Sequence, residues 1–150
     1  MTMAKKIIAV IGGRECNDTQ YQIAREVGRL IAEKGAVLVC GGRTGIMEAV
    51  CRGAAEAGGI TVGILPGGDS RDANEWVTVP IATGIGLARN AIIIRSASAA
   101  IAISGSYGTL SEIAYCKQFG VPVVGIQSWD IQGILNVDTP EEAIRQAFQE

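Results

Sequence analysis

Residues 99–112, AAIAISGSYGTLSE, run an apolar strand into a glycine turn and directly into a helix. Such a junction makes an anion site from backbone alone. Gly105 and Gly108 can take positive φ and let a ligand approach the main chain closely. The helix beginning near Thr109 then points unpaired N–H groups, and the positive end of its dipole, at the same place. Phosphate is the anion this chemistry favours. Glu112 lies one turn inside that helix, and the spacing Thr109-x-x-Glu112 fits a capping box, with Glu112 folded back on the Thr109 N–H. It equally places a carboxylate where the ribose hydroxyls or leaving base of a bound nucleotide would sit. The pattern admits both.

Other residues are candidates for the same ligand. Arg89 follows Gly84-Ile85-Gly86 among small or apolar neighbours (Leu87, Ala88, Ala91, Ile92), as a clamp for phosphate or carboxylate would. Glycine turns recur at Gly12-Gly13 and in Gly41-Gly42-Arg43-Thr44-Gly45, where Arg43 and Thr44 could also reach a phosphate. Ser106 sits between the two turn glycines of the opening motif. Tyr107 could stack on a base or pack on the sheet edge. Arg14, Glu15, Asn17 and Asp18 read as capping residues of the next helix, and the polar stretch 66–75 as a solvent-exposed loop.

Composition narrows the chemistry. The chain of 150 residues has no histidine, which removes Ser-His-Asp and Cys-His nucleophile systems and the commonest metal ligand. Cys16, Cys40, Cys51 and Cys116 form no CxxC pair, so no metal site is expected; they read as reduced thiols, with Cys16 the most exposed. No GK[ST] segment provides a P-loop, and no GxGxxG follows the first strand. A formal net charge of −2 gives no basic field for nucleic acid. No apolar run approaches the length of a membrane span or forms a signal peptide, so a soluble, cytoplasmic protein is expected.

The elements that must position these residues alternate. Short apolar strands are expected at 5–11, 36–40, 61–65, 76–79, 99–103 and 122–126. Helices are expected from a cap at Asp18 or Thr19 to Lys34, from Gly45 to Ala57, from about 87 to 96, from about Thr109 to Phe119, and from the Thr139-Pro140 start to near the end. This alternation predicts one α/β domain over residues 1–150: a doubly wound, mostly parallel Rossmann-like sheet of six or seven strands with helices on both faces. In such folds ligands bind beyond the carboxyl ends of the strands, where the glycine turns lie.

Three ordered segments, GGRTGIMEAV (41–50), TGIGLARN (83–90) and SGSYGTLSE (104–112), resemble the lonely-guy (LOG)-like, DprA/Smf-related Rossmann superfamily. They echo its GGGxxGLMG segment, its arginine segment and its PGGxGTxxE turn. The resemblance implies two functions. Phosphoribohydrolases of the superfamily cleave the N-glycosidic bond of nucleoside 5′-monophosphates, which would make Arg89 and Glu112 catalytic and Gly105, Gly108 and Thr109 the 5′-phosphate site. The chain departs from them in having Arg89-Asn90 for Arg-Lys and Ser104-Gly105-Ser106 for Pro-Gly-Gly. It is more similar to the compact branch that includes molybdenum-cofactor carrier proteins, which implies a non-catalytic, homo-oligomeric (dimeric or tetrameric) binding protein for a nucleoside monophosphate or the molybdenum cofactor. A lysine decarboxylase label is opposed by the residues, since Lys5, Lys6, Lys34 and Lys117 all lie outside the glycine turns.

Overall fold

The computed structural model describes residues 4–149. Seven strands form one sheet: β1 (Ile7–Gly12), β2 (Val37–Cys40), β3 (Thr61–Leu65), β4 (Val79–Ala82), β5 (Ala99–Ile103), β6 (Val123–Ile126) and β7 (Leu135–Val137). Five α-helices intervene: α1 (Asp18–Glu33), α2 (Ile46–Glu56), α3 (Arg89–Arg95), α4 (Tyr107–Phe119) and α5 (Pro140–Ala147). The strand order is β4-β3-β2-β1-β5-β6-β7, and every pairing is parallel. The chain builds outward from β1 to β4, then returns to place β5 on the other side of β1. That reversal is the switch point of a doubly wound sheet.

Alternation along the central strands divides the core. Ile8 and Val10 of β1, with Ile101 and Ile103 of β5, face residues of α1, α2 and α5 such as Val27, Ile31, Val50 and Ile144. On the other face Ala9, Ala100 and Ala102 meet Ile93 and Ile94 of α3 and Ile113 and Cys116 of α4. The alanines make that face shallow, so α3 and α4 can press close to the switch point. Helices α1 and α2 touch through backbone. A Cβ on Gly28 would overlap the Val50 carbonyl, and one on Gly53 would overlap the Arg25 carbonyl.

Several boundaries differ from expectation. The fourth strand starts at Val79 rather than Trp76, because residues 74–78 make a turn and a plug. The Trp76 N–H donates to Asn74 Oδ1 at 3.0 Å, its carbonyl accepts from Thr61 Oγ1 at 2.6 Å, and Arg52 lies 5.6 Å from the centre of its ring. The strand that follows is an exposed sheet edge, where Pro80 is tolerated. The cap of α1 is Asn17 rather than Asp18 or Thr19: Asn17 Oδ1 accepts from the Gln20 N–H at 2.8 Å, and Gln20 Oε1 accepts from the Asn17 N–H at 3.0 Å. The three-residue β7, exposed in two of its positions, is too short to show a period. At α5 the expected start holds, with Thr139 Oγ1 accepting from the Glu142 N–H at 3.2 Å and Pro140 in the first turn.

The backbone contact between α1 and α2 predicts that Gly28→Ala destabilises the fold by at least about 2 kcal/mol, since the methyl must push one helix off the other. Urea unfolding of the variant beside wild type checks this; an unchanged midpoint would refute it.

Candidate functional site

The carboxyl ends of β1, β2 and β5 open on one cavity of about 510 Å³. Its wall contains Gly12, Gly13, Gly41, Arg43, Arg89, Ser106, Gly108, Thr109 and Glu112 of the residues singled out from sequence. Two of these glycines are required by close approach. A Cβ on Gly12 would come 2.8 Å from the Ile103 carbonyl oxygen, across the β1–β5 junction. A Cβ on Gly41 would come 2.7 Å from Arg89 Nη2, so the bare backbone at the end of β2 is the space in which the guanidinium lies.

The remaining candidates, Gly42, Thr44, Gly45 and Gly105, do not line this cavity. Gly42, at φ +74°, packs against the Gly63 backbone. Thr44 Oγ1 donates to the Arg14 carbonyl at 3.0 Å, and the Ile46 N–H donates to the Gly13 carbonyl at 3.0 Å. These bonds tie the start of α2 to the loop after β1 and occupy an amide that a phosphate would need. Thr44 and Gly105 instead border a second depression, which shares Gly13, Arg14 and Ser106 with the first. Arg43 reaches the rim and donates through Nη1 to the Asp72 carbonyl at 3.2 Å.

Helix α4 starts two residues earlier than its sequence suggests, at Tyr107, with Ser106 as cap residue. Ser104 (φ +51°) and Gly105 (φ +109°) both take left-handed conformations to make the turn. A non-glycine residue there is strained, and Ser104 is held on three sides. Its N–H donates to the Ile126 carbonyl at 3.0 Å, its carbonyl accepts from Ser128 Oγ at 2.9 Å, and its hydroxyl accepts from Gln20 Nε2 at 3.0 Å. The early start removes Thr109 from the cap position, so the Thr109–Glu112 capping box does not form. Thr109 is 2% exposed with its Oγ1 unpartnered, packed where a Cβ on Gly105 would collide with it.

Glu112 is therefore released from a capping role and turned into the cavity wall, 7% exposed. Among the described residues it has no ion pair within 4 Å. Burial pushes its carboxyl up to about 8, opposed by the nearby positive charge of Arg89. Arg89 is equally buried, and burial lowers its pKa while Glu112 raises it. Its Nη1 donates to Asn90 Oδ1, and its Nε has no partner among the described residues. Asn90 in turn donates to Ser111 Oγ at 3.1 Å, linking α3 to α4 beneath the cavity. Asn90 carried no sequence signal beyond replacing a lysine next to Arg89. Leu87 and the Pro66-Gly67 turn also line the cavity; their positions depend on the crossover from β3 to α3, which local pattern does not encode.

A family model described as the SLOG cluster4 family matches residues 5–149. An uncharacterized protein of Archaeoglobus fulgidus is 46% identical over 139 residues, 91% of either chain. A cytokinin riboside 5′-monophosphate phosphoribohydrolase of Arabidopsis thaliana is 32% identical over 85% of this chain and 54% of its own, so this chain spans about half the length of that enzyme. Among solved structures, a molybdenum cofactor binding protein from Rippkaea orientalis superposes with a TM-score of 0.90 at 35% identity, over 96% of both chains. The molybdenum cofactor carrier protein of Chlamydomonas reinhardtii superposes with a TM-score of 0.85 at 32% identity, over 94% of this chain and 95% of its own. Both likenesses cover the sheet and the helices around the cavity.

The buried carboxyl makes stability pH-dependent in a definite sense. The folded chain keeps the Glu112 proton up to about pH 8, whereas the unfolded chain loses it near the ordinary carboxylate range, so stability falls as pH rises between the two. Glu112→Gln removes this dependence. The variant should match wild type in melting temperature at pH 5 and exceed it at pH 9 by an amount on the order of a few kcal/mol in stability. Equal curves at both pH values would show that Glu112 ionises freely.

Proposed function

Because this chain belongs to the SLOG cluster4 family, we propose that it binds a phosphorylated nucleotide or nucleotide-like small molecule, with the molybdenum cofactor as the specific candidate. The observation that carries this reading is Arg89: a guanidinium 7% exposed, without a carboxylate within 4 Å among the described residues, in the wall of the cavity that the start of α4 also enters. A buried cation without a counter-ion costs several kcal/mol. A phosphate on the Gly108 and Thr109 amides would supply the missing charge and accept from N–H groups that have no helical partner. The unpartnered Thr109 hydroxyl fits the same guest. The molybdenum cofactor would be cargo, held through its phosphate, and the Rippkaea and Chlamydomonas likenesses support it.

Glu112 favours a second reading, nucleoside 5′-monophosphate phosphoribohydrolase activity like that named for the Arabidopsis relative. A carboxyl freed from capping, protonated near neutral pH and lodged in the phosphate cavity can give a proton to a leaving base. Release of adenine from AMP by wild type and not by Glu112→Gln selects this reading; AMP binding without base release selects the carrier.

A homo-oligomer in the cytoplasm belongs to the same proposal. The oligomer is supported by exposed apolar side chains: Val79 and Ile81 of β4, Ile85 after it, and Ile92 of α3. Native mass spectrometry should show a dimer or tetramer, and Ile92→Glu should shift it towards monomer; a wild-type monomer at micromolar concentration would contradict this.

The ligand reading itself predicts a melting temperature raised by about 5–10 °C at a hundredfold excess of AMP over its Kd. Arg89→Met should lose that rise, and adenosine should give little of it. Stabilisation by adenosine and not by AMP would overturn the phosphate site.

A further inference from the structure

We propose that Tyr107 is the ring-binding residue of this cavity, the platform on which the planar heteroaromatic part of a phosphorylated ligand stacks. The inference rests on the ligand reading above and specifies which part of the ligand confers selectivity. Packing of Tyr107 on the sheet edge, the other option its sequence position allows, does not occur: the side chain is 79% exposed. Among the described residues it is the one exposed aromatic side chain. The others are half-buried against partners, as in the stacked Tyr115–Phe119 pair or Trp76 under Arg52.

Its position links it to the anion site. Tyr107 is the first residue of α4 and lines the same cavity as Arg89 and Thr109. The ring is backed rather than loose. Trp129 lies 6.2 Å away, centre to centre, at an interplanar angle of 36°, and its indole Nε1 donates at 3.1 Å to the carbonyl of Ser106, the cap residue of that helix. One anchored aromatic thus holds the other at the cavity mouth. Leu87, 76% exposed, lines the same cavity and adds a second apolar surface beside Tyr107. A charged interior beneath an aromatic and aliphatic rim fits a molecule with an anionic end and a flat ring. A purine nucleotide and a phosphorylated pterin share that chemistry, and a sugar phosphate lacks half of it.

Calorimetric titration of wild type, Tyr107→Phe and Tyr107→Ala with AMP and with ribose 5-phosphate tests the proposal. Wild type should bind AMP at least about fivefold more tightly than ribose 5-phosphate, the lower end of what base–aromatic stacking supplies. Tyr107→Ala should lose that preference while ribose 5-phosphate affinity stays within about twofold, and Tyr107→Phe should keep it. Equal affinities of wild type for the two ligands, or an equal loss for both in Tyr107→Ala, would overturn the assignment and leave the phosphate site standing. Failure of wild type to bind either ligand would overturn the site reading itself, and this inference with it.

Discussion

The parallel pairing of β1 with β5 is the contact on which everything else in this molecule is arranged. It runs in register from Ile8 opposite Ala99 to Gly12 opposite Ile103, and both strands are almost wholly buried. Side-by-side strands that end level with each other deliver their two exit turns to the same point. Because the chain leaves β1 towards one edge of the sheet and leaves β5 towards the other, no crossover covers that point. The alanines at 9, 100 and 102 then let α3 and α4 settle low on one face, which brings Arg89 and Glu112 under the turns instead of out to solvent. The cavity is a product of topology and of small side chains together.

Electrostatics at that point is unbalanced. An arginine and a glutamate share the wall, both almost fully buried, yet they do not form an ion pair. Burial favours a neutral carboxyl, leaving the guanidinium as the one full charge of the pair near neutral pH. Asn90 and Ser111 fix the geometry from below without contributing charge. The proposed anionic ligand would answer that unbalanced charge, and the carboxyl would remain able to exchange a proton.

Much of this was legible in the residues themselves. Strands β3 and β5 stand at the expected boundaries, since a β-branched or alanine-rich run bounded by turn residues is a local signal. The glycine turns also converge as the doubly wound pattern implies. Three of the differences from expectation share a cause: each depended on a partner distant in sequence. Trp76 lies in a plug made by Thr61 and Arg52, the start of α4 is set by what holds Ser104, and Thr44 is occupied by Arg14. The Thr109–Glu112 spacing satisfied a rule of helix ends, but the end was elsewhere. A capping motif found in sequence says that a helix could start there, and the hydrogen bonds of the preceding turn decide whether it does.

The bare backbone at Gly41 has a consequence for the lifetime of the chain. By leaving room for Arg89 it permits a desolvated cation in the folded state that the unfolded chain would hydrate freely. The proposed anionic ligand would relieve that electrostatic burden, and its binding and the folding of the chain would form one linked equilibrium. Molecules without that ligand would open more often than those with it and meet proteases more often. Under the proposed function, the abundance of the protein would follow the supply of that ligand.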